Sequence, residues 1–318
     1  MTVLQTVLES TLTSSRRKLI MASVKSNALM AWAFANNRVE VENGGYNITN
    51  PLTTGRNGNV SSYEYYGSLP VAQTSEFDTV EYRWSRVAGT VIISDQEEDE
   101  NTGPEAIFKL ITAKVDVLEE SIKEKFSEYL YGSGTGTDPN GLAALVPDDP
   151  TTGTLAGINR ATESQWRSSS YDFDGNLDAT NIEEAMDDIM LDLTVKGEKP
   201  SVWLFGRNLY RLYKQAVREK VVINFGQTSG ATKQMYDLSI EGIMHGKVPI
   251  MYDEDCPVNK GYCLNDKYLR LHILKGVNMR VKNLASPWTI DASGKRIVWQ
   301  GQWCTWRNFR THAVIINS

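Results

Sequence analysis

Five carboxylates fall within six residues, Asp95, Glu97, Glu98, Asp99 and Glu100. Such a run could hold a hard cation such as calcium through oxygen donors. It lacks EF-hand spacing and reads better as a solvated acidic patch ahead of a helix; a salt link to an arginine of a neighbouring subunit is the intermediate case. Gly132-Ser-Gly134-Thr-Gly136-Thr-Asp138-Pro-Asn-Gly141 invites a phosphate-cradling reading. It follows a helical pattern, where a phosphate loop should follow a strand, and no GK[ST] occurs, so it reads as a helix-terminating loop. Cys256, Cys263 and Cys304 could supply thiolates, and His245, His272 and His312 a base or ligands. No CxxC pair, no metal-ligand histidine spacing and no GxSxG accompany them, so reduced, buried thiols in a cytosolic product fit best. Trp288, Trp299, Trp303 and Trp306 could stack on nucleic-acid bases, but core packing of terminal strands is the simpler account. No catalytic, cofactor-binding or metal-ligating set emerges, and the chain reads as a non-enzyme.

Composition sets the frame for these residues. The 318 residues suggest about two domains. Hydrophobic residues make up 41% and charged residues 23%, ordinary values for a globular protein. No apolar run is long enough to span a bilayer. Met1–Ser15 shows neither a basic n-region nor a continuous apolar core, so no cleaved secretory signal is expected, and the sequons at Asn47 and Asn59 are expected to be idle. The net charge of −6 argues against a dedicated nucleic-acid binder. The first 40 residues run the other way, with Arg16, Arg17, Lys18, Lys25 and Arg38 against Glu9 and Glu40.

The elements that must position these groups follow from periodicity. Residues 3–35 look helical in pieces, interrupted by Ser/Thr at 10–15. The stretch 43–59, with four glycines, a proline and five asparagines, reads as a hinge loop. Val60, Tyr63, Tyr65 and Tyr66 predict a strand over 60–69. Val80, Tyr82 and Trp84 alternate with Thr79, Glu81, Arg83 and Ser85; a phase shift at Ala88-Gly89 precedes Val91 and Ile93. Together 60–93 predict a long two-stranded ribbon, whose second strand would reach roughly 55 Å at about 3.3 Å per residue, against the usual 3–10 residues or so of a strand. A ribbon that long must lie on something, a neighbouring subunit being the natural bed; the competing reading folds it back on its own domain, broken at Gly89. Ile107, Ile111, Val115, Leu118, Ile122, Phe126 and Tyr129 then form one apolar stripe, predicting a helix to about Tyr131 that Gly132 ends. Thr180 with Glu183 predicts a capping box and a second helix. Ser201–Phe205 and Asn208–Arg218 predict a βα unit, hence a mixed α/β second domain, and short strands fill the chain from 234 onward.

The order of these parts, with Tyr82-Arg83-Trp84 through Ser94, Asp138-Pro139-Asn140-Gly141-Leu142, Gly157-Ile158-Asn159-Arg160 and the closing Trp299–Trp303 and His312–Ile315, resembles the major capsid proteins of tailed bacteriophages, the family with the Hong Kong 97 capsid fold. The resemblance covers nearly the whole chain. It implies an α+β fold with an N-terminal arm (1–49), an extended β-hairpin loop (50–94), a peripheral domain (95–167) with a spine helix at 103–131, an axial domain (168–292), and C-terminal strands (293–318) returning to the peripheral domain. It implies self-assembly as hexamers and pentamers into an icosahedral shell around phage double-stranded DNA. The implied partners are copies of the chain, a portal protein, a separate scaffold protein and loosely held DNA, with no membrane; the implied place is the virion, assembled in the bacterial host cytoplasm. No lysine lies between Lys25 and Lys109, so a lysine–asparagine cross-link of the kind some relatives make cannot start from this loop. Expected inter-subunit contacts are Arg56, Tyr63, Tyr65, Arg83, Trp84 and Arg86 on the loop and Asp95, Glu97 and Glu98 beside it. An encapsulin-like cellular nanocompartment is the alternative on the same fold, and an α/β enzyme with its site in 180–292 the alternative of another class.

Overall fold

A computed structural model describes residues 10–12, 27–53, 57–72, 77–100, 104–217, 243–283, 292–305 and 309–318. Its helices are α1 (Ala28–Ala35), α2 (Asp95–Glu100), α3 (Pro104–Tyr131), α4 (Leu142–Leu145), α5 (Ile182–Leu193) and α6 (Arg207–Val217). Its strands are β1 (Val39–Glu42), β2 (Asn47–Thr53), β3 (Phe77–Arg83), β4 (Ser85–Ser94), β5 (Thr154–Leu155), β6 (Ile158–Asn159), β7 (Ser169–Asp172), β8 (Val202–Phe205), β9 (Ile243–His245), β10 (Val248–Tyr252), β11 (Lys260–Leu264), β12 (Leu269–Leu274), β13 (Arg280–Asn283), β14 (Ala292–Thr305) and β15 (Ala313–Ile316).

β14 is the organising strand of a five-stranded sheet. It pairs antiparallel with β4 from Ser85↔Gly301 to Ser94↔Ala292, with β12 through residues 301–305, and with β13 through residues 295–298. β1 adds in parallel to β12. The long helix α3 crosses this sheet. Its 28 residues span roughly 42 Å at 1.5 Å per residue, and Ile111, Val115, Ile122, Phe126 and Leu130 are buried. Phe126 meets Trp299 edge to face at 4.8 Å. Gly89 sits directly under the helix: a Cβ there would lie 2.5 Å from Leu118 Cδ1 and 3.2 Å from Ile122 Cδ1. Its glycine therefore serves close approach of helix and sheet, and the ladder runs through it without a bulge. α1 is buried along Leu29–Ala33 and capped by Asn27, whose Oδ1 accepts from the N–H groups of Leu29 and Met30.

A six-stranded mixed sheet runs in the order β7-β15-β11-β8-β10-β9. One face, with Trp203, Phe205, Ile250, Cys263 and Ile315, packs under α5 (Ile182, Met186, Ile189, Leu193) and α6 (Leu209, Tyr210, Tyr213). The other face, with Val202, Leu204, Tyr262, Leu264 and Val314, belongs to the same core as α3 and the five-stranded sheet. The βα unit expected at 201–218 and the helix expected after Thr180 are present.

Several expectations are corrected. Residues 47–53, read as hinge loop, form β2; Pro51 disguised the strand, and a two-stranded ribbon tolerates it because its missing N–H faces no second partner. Residues 60–69, read as a strand, form none. The extended segment 77–94 is two strands split at Trp84, not one broken at Gly89. Its inward phase is even through Val80 and Tyr82 and odd from Ser85 to Ile93, so the phase shift lies at Trp84. The acidic run is helical, closed by a capping box in which Ser94 Oγ accepts from Glu97 N–H and Glu97 Oε2 from Ser94 N–H. The helix after Thr180 is led by Asp178, whose Oδ1 accepts from the N–H groups of Thr180 and Asn181. Leu130 rather than Tyr129 completes the buried stripe of α3. The five-stranded sheet takes in β12 and β13, and the six-stranded sheet takes in β15.

The glycine-rich loop after α3 is a steric joint. A Cβ on Gly141 would stand 2.3, 2.5 and 2.6 Å from the carbonyl oxygens of Tyr129, Gly132 and Leu130. That is the carbonyl end of a helix, the wrong electrostatic sign for an anion. Gly141→Ala should cost at least about 2 kcal/mol in a urea titration, since backbone cannot move aside as a side chain can. Gly58→Ala, with nothing within 4 Å of its Cβ position, should stay within about 0.5 kcal/mol of the parent.

His312 gives the fold a pH dependence. It is 1% exposed, its Nδ1 accepts from Asn265 N–H at 3.2 Å, and burial lowers its pKa to about 4. The unfolded chain takes up this proton near pH 6.5 and the folded chain only near 4, so the stability is full above pH 6.5 and is lost as pH falls through that window. The urea midpoint of the parent should fall more steeply between pH 7 and pH 5 than that of His312→Asn; equal slopes would remove His312 from the account.

Candidate assembly interface

The feature unlike the rest of the molecule is the ribbon β2–β3 and the segment it carries. The two strands pair antiparallel from Asn47↔Arg83 to Thr53↔Phe77. Ile48, Leu52, Val80 and Tyr82 are buried in the same core as Leu155 and Ile158, and Glu81 N–H donates to Ala156 O. Tyr82, 1% exposed, donates its hydroxyl to Thr305 O at 2.8 Å, at the end of β14. Burial pushes that phenol well up from its usual range. The ribbon is thus rooted in its own subunit.

Beyond the root, every residue from 60 to 72 is exposed. Val60, Tyr63, Tyr65, Tyr66, Leu69 and Val71 are 61–94% exposed. Asn59 pinches the loop's base: its Nδ2 donates to Ala72 O at 2.7 Å and its Oδ1 accepts from Ala72 N–H at 2.9 Å. Tyr65 and Tyr66 stand edge to face at 5.1 Å. Six large apolar side chains in twelve residues exceed the scattered exposure normal for a monomer and mark an interaction surface.

The expected contact residues divide. Tyr63 and Tyr65 lie in this exposed set. Arg83 is exposed on the ribbon's outer face and makes no ion pair among the described residues. Trp84 is half-buried, with Nε1 donating to Gly45 O at 3.1 Å. Arg86 Nε donates to Gln300 Oε1 at 2.8 Å within the chain. Glu97 is held by Lys114 at 2.6 Å, and the Lys114 hydrogen bond, with those of Ser94, lowers its pKa. Arg56 lies outside the described residues, as do the side chains of Asp95 and Glu98. Val60, Tyr66, Leu69 and Val71 belong to the surface as well. Their signal was apolar residues among Gly67 and Pro70, which a period-two reading absorbed into a strand.

The other chemical candidates are packing. Cys256, Cys263 and Cys304 are buried free thiols, pushed up by burial. Trp299 and Trp303 are core residues, while Trp288 and Trp306 lie outside the described residues. Arg160, 4% exposed, donates to the carbonyls of Ala144 and Leu145, and Trp166 stacks on Phe309 at 4.3 Å, so Gly157–Arg160 clasps the loop after α3. No described helix is long and apolar enough to cross a membrane.

This architecture, a long helix over a sheet, a two-stranded ribbon with an exposed tip and a second sheet with two helices, is the Hong Kong 97 capsid fold. The capsid subunit of cyanophage A-1(L) is similar over 92% of this chain and 93% of its own, with TM-score 0.67 and 17% identity. The capsid of a native GTA particle matches over 90% of each chain, with TM-score 0.56 and 12% identity. The SrpI encapsulin of Synechococcus elongatus matches over 88% of this chain and 84% of its own, with TM-score 0.51 and 12% identity. No protein-family profile and no curated protein matches the sequence.

Removing residues 60–71 with a short Gly-Ser bridge should leave the subunit's melting temperature within about 2 °C, because none of those side chains is buried. A loss of folded protein would show that the segment packs on its own subunit.

Proposed function

We propose that the chain is the major capsid subunit of a tailed bacteriophage, assembling as hexamers and pentamers into an icosahedral shell around double-stranded DNA. The observation that carries the reading is the apolar segment 60–72, held out on a ribbon rooted in its own core. Laid on a neighbour, six such side chains give roughly 1.5–3 kcal/mol each, on the order of 10 kcal/mol. Association costs about 4–15 kcal/mol. The terms are of similar size, so one tip on one neighbour holds weakly; a closed shell, where each subunit both gives and receives a tip, is the stable state. Arg83 then reaches a carboxylate of the neighbour. The six-stranded sheet with α5 and α6 faces its copies around the hexamer and pentamer axes, and the five-stranded sheet with α3 forms the periphery. The role is structural rather than enzymatic. A separate scaffold protein, a portal protein and loosely held DNA complete the partners, in a virion assembled in the host cytoplasm.

The likeness to the SrpI encapsulin favours a second reading, a cellular nanocompartment. Electron microscopy of the purified protein should show closed shells, and particles from the native source should hold DNA; protein cargo instead would select the nanocompartment, and a small monomer by sedimentation would defeat both. Arg83→Glu should reduce shell yield several-fold while leaving the subunit's melting curve unchanged, and normal shells from it would exclude the Arg83 contact.

A further inference from the structure

An asparagine followed by glycine is able to close on itself. The glycine nitrogen attacks the side-chain carbonyl carbon, because no Cβ screens that nitrogen. The chain has three such pairs, Asn43-Gly44, Asn57-Gly58 and Asn140-Gly141, and the fold treats them differently. Asn140 is half-buried, and its N–H donates to Gln302 Oε1 at 3.3 Å. Gly141 stands flush against the carbonyl oxygens of Tyr129, Leu130 and Gly132, so its nitrogen has no room to swing toward the carboxamide. Asn43 is exposed, but its Oδ1 accepts from Lys275 Nζ at 3.1 Å. That bond ties the carboxamide to the far end of β12 rather than to its own backbone.

Asn57 has neither restraint. It and Gly58 are exposed, and nothing lies within 4 Å of the Cβ position of Gly58. Asn57 Oδ1 accepts from Asn59 N–H at 2.8 Å, a side-chain turn two residues onward along the chain. This bond folds the carboxamide over Gly58 and draws electron density from the carbon to be attacked. The residue it holds is the one that closes the exposed segment. Asn59 grips Ala72 with both ends of its amide, Nδ2 donating to Ala72 O at 2.7 Å and Oδ1 accepting from Ala72 N–H at 2.9 Å.

We propose that Asn57-Gly58 is a self-modifying site, at which Asn57 turns over through a succinimide and releases the closure of the exposed segment. The Gly58 nitrogen bonds to Asn57 Cγ and gives up its proton. The Cγ–Nδ2 bond breaks, and Nδ2 leaves as ammonia. Water then adds to either imide carbonyl and opens the ring to aspartate or isoaspartate, so the balance needs no oxidant or reductant. In isoaspartate the main chain runs through Cγ and gains one methylene, and the turn that holds Asn59 is lost. The grip on Ala72 then loosens, and the six exposed apolar side chains between Val60 and Val71 lose their fixed base. The reaction is a clock on that segment. The site does not depend on the shell reading.

The test ages the full chain in mildly alkaline heavy-oxygen water, quenches portions in acid and reads peptic peptides by mass spectrometry. The peptide with Asn57 should take up heavy oxygen at least about fivefold faster than those with Asn43 or Asn140. In concentrated urea the three rates should converge, because only the residue pair is left to set them. Gly58→Ala, whose Cβ meets open space, should keep the parent's circular dichroism spectrum and slow the conversion at least about fivefold. Hydrogen exchange in the peptide holding Ala72 should be several-fold faster in the aged chain than in the fresh one. No conversion at Asn57, conversion at Asn43 or Asn140 that matches it, or the same ranking in urea overturns the proposal. So does an unchanged rate in Gly58→Ala, or equal exchange at Ala72 before and after ageing.

Discussion

The ten-residue ladder between Ser85–Ser94 and Ala292–Gly301 is the constraint on which the rest depends. It joins the first third of the chain to its end and makes the floor on which α3 lies. Gly89, Leu118 and Ile122 fix how closely helix and sheet meet, and Phe126 on Trp299 fixes where. Because β14 also takes β12 and β13, and β12 takes β1, this pairing sets the position of the N-terminal segment. Because Tyr82 reaches Thr305 O, it sets the position of the ribbon root.

Much of this was legible because it rests on long, regular patterns. The apolar stripe of α3 recurs every three or four residues over about six turns, so its helix and its end at Gly132 could be read directly. The βα unit at 202–217 combined a short apolar run with an amphipathic one. The order of parts pointed to the fold over nearly the whole chain. What could not be read was pairing. Nothing local tells Asn47–Thr53 that its partner is Phe77–Arg83, and Pro51 argues against a strand unless the ribbon is known to have two strands only. The aromatic tip imitated a strand because exposed and half-buried tyrosines look alike in sequence. At Trp84 the two inward phases meet, and a tryptophan fits either, so the shift was placed at the nearest glycine.

The surface residues were the least legible. Arg86 and Glu97 have the composition of interface charges, yet Gln300 and Lys114 occupy them within the chain. Arg83, one strand earlier, has the same composition and faces outward. For Arg86 the difference is register against β14, whose Gln300 lies 214 residues away. The groups with reactive or stacking side chains show the same thing. The thiols and tryptophans that the structure describes went to the core because the sheets needed volume there. The glycine-rich loop went to the carbonyl end of α3 because only a residue without Cβ fits at Gly141.

Trp84 and Gly45 meet through one hydrogen bond, at the place where both strands of the ribbon enter the body. Gly44 and Gly45 take backbone angles with φ of +155° and +121°, and Trp84 is the single residue outside either strand. The ribbon is held both here and along its inner face, by Ile48, Leu52, Val80 and Tyr82 in the core, and its large exposed apolar side chains lie beyond that face, at 60–71. Mechanically, a load on the tip is spread over this buried face and over the bond from Tyr82 to Thr305 O. A subunit so built keeps body and ribbon as one unit and leaves only the exposed segment 60–72 uncommitted to its own core.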